Sequence, residues 1–341
     1  MQLSFATEPE MTPQTRRRVE FILDNLVWFM LIFVLAVFSA FIPNYFQPSI
    51  FANIIEASSV LGVMSIGLAL VILAGQMDLS VESVAALAAM GVGILFCSAG
   101  IGMGFKLTPE WLAVPVSLLA ALAVGGIIGL FNGFLIVKVK MNAFIITLAA
   151  YIWVRGLVVA VSGGRSAQDL DPAIRFFGIQ RFLGLPLTAW IAILCFVAFS
   201  FMMMKTPFGR HLKMIGGNET ATHRAGIRVN RNLMIAFVLA GATAGLAGWL
   251  LTIRTSGATA NLGVGMLFNA FAAVVIGGVS LKGGVGSLPG VYAGVLLLSS
   301  INTAINLMGL PANVTQVIHG LLVLAAVMLD TFKQTIRRSL A

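Results

Sequence analysis

About ten long apolar stretches, separated by short loops, occupy the chain between Leu26 and Asp330. A hydrocarbon core about 30 Å thick needs roughly 20 apolar residues of helix to cross it. Only 10% of the 341 residues are charged, whereas a typical soluble domain carries about 25%. Backbone within lipid must satisfy its own hydrogen bonds, and the sequence lacks the ~10-residue alternating strands of a membrane barrel. The sequence therefore predicts an all-α polytopic membrane protein with about ten transmembrane helices.

The apolar stretches define the predicted spans and the domain organisation. Residues 26–330 are predicted to be one transmembrane domain, preceded by a tail at 1–25 and followed by a tail at 331–341. The predicted spans are 26–42, 54–74, 81–103, 111–137, 143–161, 186–204, 233–253, 265–279, 287–308 and 314–330.

The basic residues indicate the side of the membrane on which each loop lies, because cytoplasmic loops collect Lys and Arg. Three arginines at 16–18 precede the first span, and basic residues within 333–338 follow the last. Both tails are therefore predicted to be cytoplasmic. With both tails inside, ten crossings place the strongly basic loop 205–232 inside and the nearly charge-balanced loop 162–185 outside. The outer loop is interpreted either as carrying a short helix on the membrane surface or as an ordered loop without a special role.

Several function classes are disfavoured by the sequence. The net charge of +9 follows from the placement of basic residues at the ends and in alternate loops, so no nucleic-acid partner is expected. Cys97 and Cys195 lie within apolar spans without a neighbouring thiol, which argues against a disulfide or a metal site. Neither a phosphate-binding G-x-x-x-x-G-K-[ST] loop nor a catalytic cluster is present. The chain is therefore predicted to be no enzyme and to bind no cofactor itself.

A few ionisable residues fall inside or beside the spans, where a charge costs ~2.5 kcal/mol or more. Glu56, Asp78 and Arg155 are candidates for function on this ground. The alternative is structural, with Asp78 capping a helix that begins near Val81 and Arg155 lying close to the outer interface. Glu56 is the acid counted as clearly within a span. A carrier coupled to ions or protons would need several such acids, so autonomous coupling is disfavoured.

Glycines mark two further features. The segment Leu73–Ser80 recurs loosely as Val275–Lys282, each time before a helix rich in small residues. Transporter folds often contain internal repeats with broken helices near the substrate path, but Gly-rich junctions could also give this match by chance. Glycines at every fourth residue, as at Gly125 and Gly129 and again at Gly241 and Gly245, predict close packing of membrane helices.

Several short motifs are distributed along the chain. Residues 75–81 read GQMDLSV, residues 142–148 read NAFIITL, and residues 155–157 read RGL. The basic loop contains TPFGR, IGGNE and AGI, and residues 272–287 contain AAVVIGG and GGVGS. Together they resemble the motifs of the membrane permeases of ATP-binding-cassette importers of the ribose/galactose/xylose type. The chain departs from that pattern at Gln76 and Glu82, where the family has Gly, and at Ala143, where it has Pro.

The resemblance implies a permease fold with broken or re-entrant helices in the inner membrane of a bacterium. It implies uptake of a monosaccharide, with a cytoplasmic ATPase subunit that binds ATP, a periplasmic substrate-binding protein and a second permease copy or paralogue as partners. A nucleoside or a furanose signalling molecule is an alternative cargo, and branched-chain amino acid permeases are distant look-alikes. A self-sufficient secondary transporter is a further alternative.

The basic loop is the predicted contact with the ATPase. Its glycines leave room for a short helix from Asn218 to Ala225, because Asn is a good N-cap and Glu219 suits the positive helix start. The resemblance implies coupling to the ATPase through Arg210, Gly216, Gly217, Asn218, Glu219, Arg224 and Gly226.

The predicted substrate pathway consists of residues that flank the junction motifs. Amides beside aromatic rings suit a ligand rich in hydroxyl groups. The predicted pathway residues are Asp78, Asn132, Asn142, Phe144, Arg155, Asn269 and Phe271.

Overall fold

The computed structural model describes residues 13–339, and the side chains within residues 25–331 apart from 312, 313, 319, 326, 329 and 330. Helices dominate this part of the chain, with a single 3-10 turn at Glu110–Leu112 before the fourth. The helices are α1 (Pro13–Phe41), α2 (Pro48–Leu73), α3 (Val81–Phe96), α4 (Ala113–Val137), α5 (Ala143–Ser162), α6 (Pro172–Ile179), α7 (Leu187–Lys205), α8 (Pro207–Gly217), α9 (Glu219–Arg224), α10 (Val229–Thr255), α11 (Met266–Ile276), α12 (Leu288–Leu307) and α13 (Ala312–Ser339). The strands are β1 (Cys97–Gly100), β2 (Ala167–Leu170), β3 (Arg181–Phe182), β4 (Leu185–Pro186) and β5 (Gly257–Ala258).

The long apolar helices make this an all-α polytopic membrane protein. Within the described residues, six segments are long and apolar enough to cross a membrane, by length and composition. They are Pro48–Leu73, Glu110–Val137, Ala143–Ser162, Leu187–Lys205, Val229–Thr255 and Leu288–Leu307. Shorter apolar helices occupy Asn25–Phe41, Val81–Phe96, Met266–Ile276 and Val314–Ala325. These four segments coincide with the other predicted spans, while the count of about ten crossings stays a prediction.

The boundaries of some predicted spans differ from the structure. The prediction of one apolar span over 81–103 is wrong, because α3 ends at Phe96 and the chain continues as strand β1. The segment after α3 is rich in glycine, which disfavours helix, and Gly100 and Gly104 have positive φ. Helix α1 begins at Pro13, inside the predicted tail 1–25, whose residues 1–12 lie outside the described part. At the other end of the chain, α13 continues to Ser339, inside the predicted tail 331–341.

The predicted outer loop 162–185 contains regular structure. Strand β2 pairs antiparallel with β1 on one side and with β5 on the other, and β3 and β4 form a small hairpin. Asp171 is the N-cap of helix α6, and its side chain accepts a hydrogen bond from the backbone N–H of Ala173 at 2.9 Å. Ile174 of α6 is buried, while Phe176 and Ile179 are exposed. The predicted short helix is confirmed, and its position on a membrane surface stays a prediction.

Helices α2 and α10 lie at the centre of the bundle and are buried along most of their lengths. Helices α4 and α10 approach each other closely. A Cβ atom added at Gly125 would overlap the carbonyl oxygen of Gly241, and one added at Gly241 would overlap that of Gly125. A Cβ atom added at Gly129 would likewise overlap the carbonyl oxygen of Phe237, and one added at Gly245 would overlap that of Ala121. The predicted packing through small residues is therefore confirmed for this helix pair.

Candidate functional site

Two glycine-rich turns meet at one end of the bundle. The first follows α2 and contains Gly75, with φ +75°, and the second follows α11 and contains Gly278, with φ +87°. Only glycine adopts this left-handed conformation without a steric cost. The backbone N–H of Gly284 donates a hydrogen bond to the carbonyl of Leu73 at 2.9 Å. A Cβ atom added at Gly283 would lie 2.7 Å from Cα of Gly75. The first segment of the loose repeat is thus packed against Gly283 and Gly284, which directly follow the second segment, and a true internal repeat stays a prediction.

Gly216, at the end of α8, is packed against both turns. A Cβ atom added there would overlap the carbonyl oxygen of Leu73 and would lie 2.5 Å from the backbone nitrogen of Gly284. A Cβ atom added at the next residue, Gly217, would meet nothing within 4 Å. The basic loop 205–232 therefore packs on the end of α2 and on the segment after α11 through the backbone of Gly216, and the backbone of Gly217 also lies beside Gly284.

The chain beyond Gly75 runs without helix to the start of α3 and carries a buried polar group. Asp78 is 1% exposed, and its Oδ1 accepts hydrogen bonds from the backbone N–H of Ser80 at 2.9 Å and from Ser80 Oγ at 2.6 Å. Asn132 Nδ2 of α4 donates to Ser80 Oγ at 3.0 Å. Among the described side chains, Asn132 Oδ1 has no hydrogen-bond partner. Ser80 thus joins two predicted pathway residues, Asp78 and Asn132, in one buried chain of hydrogen bonds.

The interpretation of Asp78 as a cap for α3 is wrong. The N-cap position of that helix is Ser80, which makes no side-chain cap hydrogen bond, and the hydrogen bonds described for Asp78 all go to Ser80 itself. The carboxylate therefore organises the extended segment before the helix, rather than the free N–H groups of the first helical turn.

A second buried polar group centres on Glu82, in the first turn of α3. Its side chain is 1% exposed, and Oε1 accepts a hydrogen bond from Arg155 Nη2 at 2.9 Å, which is also an ion pair. The hydroxyl of Tyr151 lies 3.4 Å from the same oxygen. Oε2 accepts from the backbone N–H of Leu267 at 3.0 Å. Because Leu267 is in the first turn of α11, the carboxylate also stabilises the positive end of that helix.

Arg155 extends this group to the chain before α11. Its Nη1 donates to the carbonyl of Ala260 at 3.0 Å and to that of Leu262 at 3.2 Å. The guanidinium therefore holds α3, α5 and the turns after β5 together. The alternative that Arg155 simply lies near an interface does not account for these contacts.

Glu82 was missed as a site residue by sequence reasoning, which counted Glu56 as the buried acid. Glu56 instead has a side chain 26% exposed and pairs with Arg181 of β3 at 3.3 Å. The available signals for Glu82 were a carboxylate in an apolar run and its replacement of the Gly expected from the resemblance. What the sequence could not supply was the pairing with Arg155.

The other predicted pathway residues are not joined to these two groups by any described hydrogen bond. Asn142 is the N-cap of α5, where its side chain accepts from the N–H of Ile145 at 3.3 Å. Phe144 is 49% exposed. Asn269 and Phe271 lie half-buried on α11, and Phe271 packs against the main core. A pathway role for all seven residues stays a prediction.

The predicted short helix of the basic loop is present as α9. Asn218 is its N-cap and accepts a hydrogen bond from the N–H of Ala221 at 2.9 Å. The chain leaves the helix through Gly226, whose φ is +79°. Glu219 and Arg224 are exposed. The remaining predicted coupling residue, Arg210, is exposed on α8.

A bundle of apolar helices, interrupted by glycine-containing turns against which a basic loop packs, defines the class of polytopic membrane permeases. Residues 50–327 match the family described as "Branched-chain amino acid transport system / permease component", and the chain belongs to that family. The family consists of transport components, in agreement with the prediction that the chain is not itself an enzyme.

Three relatives show where in the family the similarity lies. The ribose import permease protein of Escherichia coli (strain K12) is 35% identical over 308 residues, which cover 89% of this chain and 92% of the relative. The L-arabinose transport system permease protein of the same strain is 35% identical over 315 residues, 92% of each chain. The L-arabinose ABC transporter permease protein of Azospirillum brasilense is 31% identical over 305 residues, 89% of this chain and 86% of the relative. No solved structure matches. The resemblance inferred from the motifs is confirmed.

Proposed function

We propose that this chain is the membrane-spanning permease subunit of an ATP-binding-cassette importer that takes up a monosaccharide across a bacterial inner membrane. The observation that carries the proposal is the 35% identity, over about nine-tenths of the chain, to permeases named for ribose and L-arabinose. The branched-chain amino acid name belongs to the family as a whole, whereas these relatives are named for pentoses.

The proposed partners follow from this class. A cytoplasmic ATPase subunit would bind and hydrolyse ATP, so the permease needs no cofactor of its own. A periplasmic binding protein would deliver the sugar, and a second permease copy or paralogue would complete the pathway. The small number of buried acids supports an external energy source: among the described residues, Glu82 is paired with Arg155 and Asp78 accepts its hydrogen bonds from Ser80.

The proposed coupling site is the basic loop, with Arg210, Asn218, Glu219, Arg224 and Gly226 facing the ATPase. The exposed α9 would sit on the ATPase, and movement of the loop would reach the bundle through Gly216. That glycine touches both turns, and the turn at Gly75 leads directly into the segment that contains Asp78. Rigid-body movement of packed elements is a common means of switching a transporter between states.

The proposed pathway includes the Asp78–Ser80–Asn132 group and Arg155, together with Asn142, Phe144, Asn269 and Phe271. Among the described residues, the buried Oδ1 of Asn132 has no hydrogen-bond donor. This supports the assignment, since such an acceptor can accept a hydrogen bond from a hydroxyl-rich ligand.

Reconstitution tests the proposed function. Proteoliposomes that contain the permease and its ATPase, with loaded binding protein outside, are expected to accumulate a labelled pentose or hexose in an ATP-dependent manner. Glu219→Arg should lower both uptake and stimulated ATP hydrolysis about ten-fold or more, because it reverses a charge on the exposed face of α9, while Glu110→Arg, far from the loop in sequence, should not. Uptake without ATPase would contradict the importer assignment, and uptake of nucleosides in preference to sugars would replace the substrate class.

Cysteine labelling tests the proposed topology. In a background with Cys97→Ala and Cys195→Ala, single cysteines at Ser4 and Ala341 are expected to resist an impermeant maleimide added to intact spheroplasts, and to react after lysis. Gln180→Cys in the outer loop should react from outside, and Thr220→Cys in α9 should not. Labelling of either terminus in intact spheroplasts would contradict the cytoplasmic assignment.

A further inference from the structure

A basic cleft opens where α4 leaves the bundle and α10 enters it. Its volume is about 840 Å³. Lys138, Arg228 and Arg231 line it, and the segment that follows α9, including Gly226, closes one side. All three cationic residues are exposed.

These cations have no acidic partner within the described residues. None of the ion pairs described involves them, and no acidic side chain lines the cleft. Lys140 adds a further positive charge at the edge, where its Nζ donates to Asn230 Oδ1 at 3.2 Å. The first turn of α10 has no side-chain cap, so the positive end of a 27-residue helix faces the same region. The cleft therefore attracts an anion.

The wall of the cleft is apolar, which a site for a free anion would not require. Ile227, Val229, Met234 and Ile235 contribute to the lining, and Ile235 is 36% exposed. The apolar residues Met234 and Ile235 belong to the predicted span 233–253, while the cations precede it. Charge at the mouth and apolar surface deeper along α10 match a molecule with an anionic head and a hydrocarbon tail.

We propose that this cleft binds an anionic phospholipid of the cytoplasmic leaflet. The phosphate lies between Lys138, Arg228 and Arg231, and an acyl chain lies along Met234 and Ile235. Basic pockets between membrane helices on the cytoplasmic side are suited to such headgroups. Because the segment after α9 forms one side of the cleft, the bound lipid also fixes the far end of the proposed coupling loop. The lipid-binding site itself does not depend on the identity of the transported solute.

Lipid binding to the purified, delipidated permease tests the proposal. Native mass spectrometry with short-chain phosphatidylglycerol is expected to show a saturable bound lipid, whereas phosphatidylcholine and inorganic phosphate should not bind at the same concentrations. The variant Arg228→Gln/Arg231→Gln should weaken phosphatidylglycerol binding about thirty-fold, given the usual contribution of a basic residue near an anionic surface. The control Lys205→Gln/Lys213→Gln removes the same charge from the same loop outside the cleft, and should bind as the wild type.

Three results would overturn the proposal. Equal binding of phosphatidylglycerol by both double variants would show that the cleft is not the site. Binding of inorganic phosphate as tight as that of the lipid would show a simple anion site without a role for the apolar wall. Unchanged lipid binding combined with loss of co-purification with the ATPase in Arg228→Gln/Arg231→Gln would make the cleft an ATPase docking surface instead.

Discussion

Replacing Gly216 with alanine is expected to lower sugar uptake and stimulated ATP hydrolysis by about ten-fold or more, while Gly217→Ala leaves both near the wild-type level. The added methyl group at Gly216 would overlap the carbonyl oxygen of Leu73 and crowd the backbone nitrogen of Gly284. Backbone cannot move aside as a flexible side chain can, so the end of α8 must separate from both turns. The same change at Gly217 meets nothing within 4 Å, and alanine there favours helix by roughly 1 kcal/mol.

The measurement compares the two variants in proteoliposomes with ATPase and loaded binding protein. Both should insert in the membrane and purify as monodisperse protein, because the contact lies at the end of the bundle and not among its central helices. A Gly216→Ala variant that transports normally would show that the contact with Leu73 and Gly284 does not transmit the movement of the loop. Loss of activity in Gly217→Ala alone would place the coupling contact on the exposed side of α8.

Removing the carboxylate of Glu82 is expected to cost about 3–5 kcal/mol of stability, the range for breaking a buried ion pair by deleting one partner. Glu82→Ala leaves the guanidinium of Arg155 with the carbonyls of Ala260 and Leu262 and deprives the N–H of Leu267 of its acceptor. A large fall in the melting temperature of the purified permease should follow. Glu56→Ala is the matched control, because it breaks a pair whose side chains are 26% and 51% exposed and should cost no more than about 1 kcal/mol.

A double variant separates the ion pair from the rest of the network. Glu82→Ala combined with Arg155→Ala is expected to be destabilised by clearly less than the sum of the two single changes, because the second change removes a charge already left unpaired. Additive losses would show that the two residues act independently. A melting temperature of Glu82→Ala as high as that of Glu56→Ala would contradict the stabilising role of the pair.

Much of the local structure was predictable because short-range signals specify it. The apolar stretches predicted where the apolar helices lie, whereas the glycine-containing ends of the spans 81–103 and 265–279 are not helical. The short helix α9 was predicted from an N-cap residue, an acidic first turn and a following glycine, all within nine positions of one another. Glycines four residues apart on α4 and α10 predicted a close helix contact for the same reason, since that spacing places them on one helix face.

The two polar groups and the glycine contact were decided by the tertiary structure. Glu82 and Arg155 are 73 residues apart, and Glu82 and Leu267 are 185 apart, so no local pattern indicates that they meet. Sequence reasoning selected Arg155 as a costly charge in an apolar span and treated Glu82 as a departure from a motif. Likewise, it selected both Gly216 and Gly217, which are adjacent in the sequence, and the space around a Cβ atom distinguishes them, since only the one at Gly216 would meet Leu73 and Gly284. Helical periodicity determines which residues share a face, whereas the arrangement of helices in three dimensions determines what that face touches.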